Sequence, residues 1–529
     1  MVVPLTPLEF RRRATHLYPQ KIGVVDGSKR FTYSEFGDRV NRLATGLHSM
    51  GIRKADVVSF ISNNTHHLLE AYYGVIQSGA ILNPINVRLA GEEIEFILNH
   101  SESQIVFYHS DFRLLIQKLQ PRLNRVKKFV EIEPIQTVPG NFQEYEALLA
   151  AAGGNTFFEP VADENAPAEL FYTSGTTGRP KGVVLSHRSL YLHALGILAS
   201  LHFSDRDVLL HVVPLFHVNG WGSPHFLMAV GGKHVMTRKI TPQEIFRLIQ
   251  EERVSRIFAV PTVFTALIHA AERVHYDLSS LQMAILGGAP ASLTLIQGIE
   301  EKFKCQAIAG YGLTETSPVI SLGLPSDTMK TGDPIRRLNA QARPGRETIV
   351  AEIRVVNSEG QEVAPNDEEI GEVIVRSNVV MSEYFKDPQA TRDAIRDDWF
   401  YTGDLATVDS EGSLRIVDRS KDIIISGGEN ISSAEVENVI YSHPAVLECA
   451  IIGIPDDRWG ELPIAIVVPK LETQLTEQEI IDFTRTRLAH FKCPKAVHFR
   501  ESLPKGGTGK ILKRELRQPF WEGREKRVN

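Results

Sequence analysis

Between two apolar stretches, Leu170–Phe171 and Val183–Leu185, the chain reads Tyr172-Thr173-Ser174-Gly175-Thr176-Thr177-Gly178-Arg179-Pro180-Lys181-Gly182. Four hydroxyls, three glycines and a lysine in a loop between strands can present backbone N–H groups, hydroxyls and a cation to phosphate oxygens. No G-x-x-x-x-G-K-[ST] string aligns here, so this is not a Walker A loop. An ordinary Ser/Gly turn would account for the glycines and some hydroxyls, but not for the whole string. Further on, Gly310-Tyr311-Gly312-Leu313-Thr314-Glu315-Thr316 offers Glu315 as a hard oxygen donor for a divalent cation, with the Thr314 hydroxyl beside it. Asp404, in Tyr401-Thr402-Gly403-Asp404, can accept hydrogen bonds from two sugar hydroxyls, and Arg419 can donate to the same sugar. On local grounds alone a Thr-Gly-Asp segment reads as a turn. Near the C-terminus, Lys510 closes the string Pro504-Lys505-Gly506-Gly507-Thr508-Gly509-Lys510, where a solvated, mobile lysine is the plain alternative.

Taken in this order, and together with Asp418-Arg419-Ser420-Lys421-Asp422 and Gly427-Gly428-Glu429-Asn430, these strings resemble the signature of the adenylate-forming superfamily. That superfamily comprises acyl-CoA synthetases, luciferases and nonribosomal peptide adenylation domains. The motifs are collinear with the family's and span nearly the whole chain. The resemblance implies ATP, Mg²⁺ and coenzyme A as the small molecules, with a carboxylic acid as substrate. It places Thr173, Ser174, Gly175, Thr176, Thr177, Gly178 and Lys181 on the ATP phosphates, and Gly288, Ala289, Pro290, Tyr311 and Gly312 around adenine. Asp404 and Arg419 then bind ribose, and Glu315 and Thr176 serve the metal beside Thr314.

Lys510 matches the family lysine that bridges carboxylate and phosphate during adenylation. The physical case is that negative charge builds on the α-phosphate as a carboxylate attacks it, and an inserted cation lowers both that cost and the mutual repulsion. Lys421 falls at the family's hinge position, where a backbone rotation lets the C-terminal domain present two faces in turn. Gly427, Gly428 and Glu429 would line the approach of the pantetheine thiol, since glycine lets the backbone come close to a thin ligand. The acyl pocket implied draws on His217, Trp221, Val260, Gly287, Gly310 and Pro318. His217, from Pro214-Leu215-Phe216-His217, reads as a lining or gating residue, against a satisfied core histidine as the alternative. Trp221 is placed like the tryptophan that gates the fatty-acid tunnel in some long-chain fatty acyl-CoA synthetases.

Positioning these groups requires a large α/β framework. Phe31 to Met50 has apolar residues Phe36, Val40, Leu43 and Leu47 at helical spacing behind Thr32 and Ser34 as caps. Val57 to Ile61 and Ile81 to Pro84 read as strands on either side of a helix over Leu68 to Gln77, and further strands are expected at Val208 to Val213, Ile257 to Val260 and Met283 to Leu286. From Gly345 to Val417 short β-rich runs are split by turns such as Asp409-Ser410-Glu411-Gly412. The expected class is α/β: a large N-terminal domain over 1–417, made of two α/β layers plus a small β-barrel-like subdomain, a hinge at 418–422, and a small mobile α+β C-terminal domain over 423–529 that carries Lys510.

With 529 residues the chain exceeds one hydrophobic core. The balance of 58 Lys and Arg against 64 Asp and Glu, a formal charge of -6, argues against a dedicated nucleic-acid binder. Three scattered cysteines, Cys305, Cys449 and Cys493, suggest neither a disulfide framework nor a zinc site. No leader-like apolar core follows Met1 and no run approaches a membrane span, so a cytoplasmic enzyme is expected, with a homodimer left open. The reaction expected is activation of an acid as acyl-AMP with release of pyrophosphate, then transfer to coenzyme A, on a medium-to-long fatty acid. An aryl or other short acid is the alternative, as is a carrier protein in place of coenzyme A. A luciferase-like oxidation shares the motifs. A catalytically dead binder conflicts with the joint presence of Thr173, Glu315, Asp404, Arg419 and Lys510.

Overall fold

A computed structural model describes the chain except residues 2, 135–142, 155, 174–179, 272–274, 328–332, 420–421, 428, 471–472, 506–510 and 523–529. Two compact units emerge: 1–353 with 375–400, and 354–374 with 401–529.

The larger unit is built on two sheets. In the nine-stranded sheet the spatial order is Arg346–Glu347, Val319–Leu322, Gln306–Gly312, Met283–Leu286, Arg256–Ala259, Val208–His211, Lys233–Met236, Ile22–Asp26 and Lys29–Thr32. Its central strands are parallel and in close register, Ala259 opposite Leu286 and Leu286 opposite Ala309. Helices on its surface bury Phe246, Phe264 and Phe303 against Leu210, Ile257 and Ala307. Strands covered on both faces read as continuous apolar runs, which is why Met283–Leu286 is legible without alternation.

The eight-stranded sheet runs in the order Glu383–Tyr384, Lys181–Ser186, Pro167–Thr173, Ile81–Pro84, Val57–Ile61, Ile105–His109, Lys128–Ile132 and Gln143–Glu144. The helix Tyr33–Ser49 starts at Thr32, whose hydroxyl accepts from Glu35 N–H while the Glu35 carboxylate returns to Thr32 N–H. This capping box satisfies two N–H groups that the helix itself cannot pair. The helix His66–Gln77 begins two residues before the first apolar position read from the sequence, because Thr65 caps it.

Asn64 joins strand ends of the two sheets. Its Nδ2 donates to the carbonyls of His211 at 2.7 Å and Val213 at 3.0 Å, and its Oδ1 accepts from Leu215 N–H at 2.7 Å. Tyr72 Oη adds a bond to the Leu215 carbonyl at 2.5 Å. The segment leading to His217 is therefore held by buried polar groups that have no other outlet.

In the smaller unit, Trp399–Val408 and Leu414–Arg419 pair antiparallel with Asp404 opposite Arg419; residues 401–408 and 414–419 lie in this unit. The parts of the β-rich stretch that fall in this unit, 354–374 and 401–419, supply strand residues of a five-stranded sheet. Beyond it, Val446–Asp456 and Gly460–Pro469 form a long hairpin packed on the helix Ser433–Tyr441, with Ile451, Val467, Val436 and Ile440 at the core. Asp418 Oδ2 accepts from Ser433 N–H at 2.6 Å and from its hydroxyl at 2.5 Å, placing a carboxylate at that helix N-terminus. Asp422 pairs with Arg517 at 2.8 Å. Among the described residues no helix is long and apolar enough to cross a membrane.

Several histidines of the larger unit are buried and held neutral. Burial pushes His193 and His211 down to about 3, and His187 and His67 down to about 4. Below about pH 6.5 the unfolded chain takes up protons that the folded chain refuses, so this stability is full above that pH and is lost as pH falls toward the folded values. Each group adds a slope of up to about 1.4 kcal/mol per pH unit. The urea midpoint of the larger unit, followed by circular dichroism, should therefore fall steadily from about pH 7 to about pH 5. A flat profile would show that these rings are not neutral in the fold.

Candidate functional site

Thr173 ends one strand and Lys181 begins the next, and the two residues are register partners. The string between them is thus the connection of an antiparallel hairpin; Ser174, Gly175, Thr176, Thr177 and Gly178 lie outside the described residues. Lys181 Nζ stands 4.8 Å from the centroid of the Tyr384 ring, a cation–π distance. Tyr384 reaches this place because Glu383–Tyr384 pairs with the Lys181–Ser186 strand, Tyr384 opposite Val183.

Tyr384 Oη donates to Glu315 Oε1 at 2.9 Å. Burial, with the Glu315 charge adding to it, holds the phenol far above its ordinary range, so it stays a donor. Glu315 sits in a short 3-10 turn, Thr314–Thr316, immediately after the strand Gln306–Gly312. That turn is pinned from several sides. Thr316 Oγ1 accepts from Leu313 N–H at 3.0 Å, the Ser317 hydroxyl donates to the Val379 carbonyl at 2.7 Å, and Met381 N–H donates to the Glu315 carbonyl at 2.7 Å. A Cβ on Gly312 would lie 1.7 Å from the Pro318 carbonyl oxygen, so only glycine fits there.

Tyr311, Gly310 and Gly287–Pro290 all lie at the C-terminal ends of two neighbouring parallel strands, and Val260 follows the next one. Open α/β sheets bind ligands at this edge. Gly288, Ala289 and Pro290 are exposed and Tyr311 is half-buried. Trp221 is buried with its indole against Gly287, where a Cβ would meet the ring at 2.9 Å, and Phe258 lies beyond at 6.3 Å between centroids.

The backbone that carries Trp221 is unusual. The helical segment Val218–Val230 opens with a left-handed turn: φ is 32° at Val218, 42° at Asn219, 52° at Gly220, 62° at Trp221 and 85° at Gly222. The three residues with side chains cost roughly 1–2 kcal/mol each in that conformation. Asn219 offsets this with Nδ2 on Glu169 Oε2 at 2.9 Å and Oδ1 on Gly222 N–H at 2.7 Å. His217 is half-buried at the entrance to the turn, and its carbonyl accepts from Gly220 N–H at 3.1 Å.

In the smaller unit Asp404 is buried and pairs with Arg419 at 3.2 Å. Its N–H donates to Thr402 Oγ1 at 3.1 Å, and Gly403, at φ 72°, donates to Glu372 at 3.0 Å. Gly427, at φ 62°, donates to the Trp459 carbonyl at 2.7 Å and lies against the exposed Trp459 ring. Glu429 is exposed at the start of the strand Glu429–Ile431. Lys421, Gly428 and Lys510 lie outside the described residues.

Elsewhere His66, His67 and Glu146 bring ligand-type atoms within 4.8 Å of one another. Arg39 already donates to both Glu146 oxygens, at 2.6 and 2.9 Å, and a guanidinium so placed opposes a divalent cation.

An AMP-binding enzyme model matches residues 10–385, and a model of the C-terminal domain of AMP-binding enzymes matches 435–510. The chain belongs to the AMP-binding enzyme family. It is 37% identical to a peroxisomal benzoate–CoA ligase of Arabidopsis thaliana over 97% of this chain and 93% of that one. Identity is 35% to a long-chain-fatty-acid–CoA ligase of Thermus thermophilus, over 97% and 95%. Among solved structures, ATP-bound MatB from Rhodopseudomonas palustris superposes with a TM-score of 0.84 at 26% identity, covering 97% of this chain and 99% of that one. By this kinship the family member is an enzyme of the acid–thiol ligase class.

Sequence reasoning missed Tyr384, Glu169 and Asn219. Glu169 did carry a signal, as the one acid in the apolar strand Ala168-Glu169-Leu170-Phe171. Tyr384 carried none, being 69 residues from Glu315. Tyr384→Phe removes a hydrogen bond to a carboxylate, worth about 1.5–3 kcal/mol, and should lower kcat/KM for ATP by about tenfold or more in a pyrophosphate-release assay. Unchanged kinetics would show that the phenol does not hold Glu315 in its working place.

Proposed function

We propose that this enzyme activates a medium-to-long-chain fatty acid as the acyl-adenylate and passes the acyl group to coenzyme A. The observation that carries the acid-activating step is the chain of contacts from Lys181 through Tyr384 to Glu315 at the edge of the Thr173–Lys181 hairpin. A lysine and a carboxylate fixed beside a phosphate-loop string are what Mg-ATP requires. The fatty-acid reading is supported by Trp221, Phe258 and Val260 as an apolar lining at the strand ends. An aryl acid is the second reading, and kinship with a benzoate–CoA ligase favours it.

In the first half-reaction an oxygen of the acid carboxylate forms a bond to the α-phosphorus of ATP and the bond to the leaving pyrophosphate breaks. Thr173, Ser174, Gly175, Thr176, Thr177, Gly178 and Lys181 bind the phosphates in this proposal. Glu315 and Thr176, with Thr314 beside them, would hold Mg²⁺, which when bound would supply positive charge against the phosphate oxygens. Tyr311, Gly312 and the strip Gly288–Pro290 take the adenine, while Asp404 and Arg419 take the ribose hydroxyls. Lys510 bridges carboxylate and α-phosphate, removing their repulsion as they meet.

In the second half-reaction the thiol sulfur attacks the carbonyl of the mixed anhydride, AMP leaves, and the thiol proton passes to the departing phosphate or to solvent. Rotation about Lys421 is proposed to separate the two steps, with Gly427, Gly428 and Glu429 lining the thiol's approach. His217 and Trp221 line the acid side with Val260, Gly287, Gly310 and Pro318. The cytoplasm is the proposed compartment, a reading supported by three buried free thiols, Cys305, Cys449 and Cys493.

Pyrophosphate release across a panel of fatty and aryl acids, with and without coenzyme A, tests the reading directly. Release should require acid and be followed by thioester only when coenzyme A is present; absence of release with every acid would sink it. Lys510→Ala should slow adenylate formation by about 100-fold or more, the scale of lost transition-state charge stabilisation, while sparing thioester formation from supplied acyl-adenylate. Survival of both half-reactions would remove Lys510 from the mechanism.

A further inference from the structure

The restraints on the left-handed turn Val218–Gly222 converge on one carboxylate. Glu169 is fully buried; its Oε2 accepts from Asn219 Nδ2 at 2.9 Å and its Oε1 from His225 Nε2 at 2.7 Å. Asn219 in turn accepts from Gly222 N–H, so the residues two before and one after Trp221 are tied together. His193 fills the place a Cβ on Gly222 would take, at 2.5 Å, and its own Nε2 accepts from Val319 N–H at 3.1 Å. The turn therefore cannot relax towards a right-handed start without leaving a buried carboxylate short of donors, a cost larger than that of an ordinary lost hydrogen bond. Glu169 also shares a strand face with Thr173, four residues on, where the strand enters the phosphate loop.

We propose that Glu169 is a positioning residue that sets acid selectivity: through Asn219 it fixes the backbone of Trp221, so that the indole stands against Gly287 and limits what acid can lie between the strand ends. Glu169 touches no substrate atom in this account. The inference rests on the acid-activation reading above and adds to it the residue that determines where the apolar wall stands. Unlocking the turn lets the indole move away from Gly287 and levels the discrimination between acids, while the nucleotide contacts stay in place.

Asn219→Gly separates the lock from the backbone strain. It removes the bonds to Glu169 and Gly222 but favours positive φ, so the turn keeps its shape preference and loses its fastening. Pyrophosphate release at saturating ATP and coenzyme A is measured with butyrate, octanoate, palmitate and benzoate for the wild type, Asn219→Gly, Trp221→Ala and the double variant. Asn219→Gly should change the ratio of kcat/KM between the best and worst acids by about tenfold, leave KM for ATP within about twofold, and have no further effect in the Trp221→Ala background. An unchanged ratio, a matching rise in KM for ATP, or additivity in the double variant overturns the assignment. Should that protein fail to fold, Glu169→Gln, which keeps the volume and one acceptor, carries the same comparison and should shift the ratio the same way.

A wild type inactive on every acid defeats the ligase reading rather than this one. The turn is then read without turnover: with Trp399, Trp459 and Trp521 replaced by Phe, acrylamide should quench Trp221 more strongly in Asn219→Gly than in its parent. Equal quenching would show that the lock does not hold the indole.

Discussion

The register that sets Thr173 opposite Lys181 is the constraint on which the rest of the site depends. Pairing makes the two strands the arms of an antiparallel hairpin, each with its own neighbours. On one side, the Lys181 strand pairs with Glu383–Tyr384 and so delivers Tyr384 over the lysine and onto Glu315. On the other, the Thr173 strand carries Glu169 into contact with the turn that holds Trp221. A slip of one residue would send every side chain of a strand to its opposite face, so the two arms could not both survive it. One ladder of backbone hydrogen bonds thus couples an edge that carries Lys181 and Glu315 to an apolar one.

The two carboxylates at the ends of these arms play different physical parts. Glu169 is fully buried, and two donors satisfy it, so it acts as a fastener whose removal would strand Asn219 and His225. Glu315 is half-buried on a pinned turn, one oxygen taken by Tyr384, and keeps access to solvent. Backbone strain is concentrated in the left-handed turn that carries Trp221, whereas beside Glu315 the constraint is close packing, Gly312 lying so near the Pro318 carbonyl that no Cβ fits. Strained backbone persists only where surrounding contacts over-determine it, and here those contacts come from remote strands.

This division explains what was legible in the sequence. The strands Val57–Ile61, Ile81–Pro84 and Met283–Leu286 coincide with their apolar runs because burial on both faces keeps them largely apolar, and the two polar residues they do hold, Ser59 and Asn83, are buried against each other with Asn83 Nδ2 donating to Ser59 Oγ at 2.9 Å. The helix capped at Thr32 announces itself by hydroxyl and carboxylate three residues apart. Glu315, Tyr311 and Trp221 stand out because glycines and hydroxyls crowd around them in short strings. Their supports do not. The Val218–Gly222 turn carries only a divided signature: Asn219, Gly220 and Gly222 favour positive φ, Val218 and Trp221 disfavour it, and the bond that fastens it comes from Glu169, 50 residues away. Tyr384 reaches Glu315 only through strand pairing, which no local string encodes. What holds a functional residue was hidden wherever the holding group is distant in sequence.

The same asymmetry bears on why the reaction class reads more clearly than the acid. Phosphate, metal and ribose are recognised by charges, hydroxyls and close backbone approach, which demand particular residue types in short order and so leave strings behind. An apolar acid is bounded by shape, and many side chains make the same wall. Relatives named for benzoate and for long-chain fatty acids stand at nearly equal identity to this chain, 37% and 35%, over almost its whole length. Overall identity therefore does not separate an aryl acid from a long alkyl one. If discrimination lies in where a wall stands, the backbone beneath the wall carries more of it than the identity of the wall. A five-residue left-handed turn fastened to a buried carboxylate can set such a position, because its few hydrogen bonds are buried and offer no alternative partner.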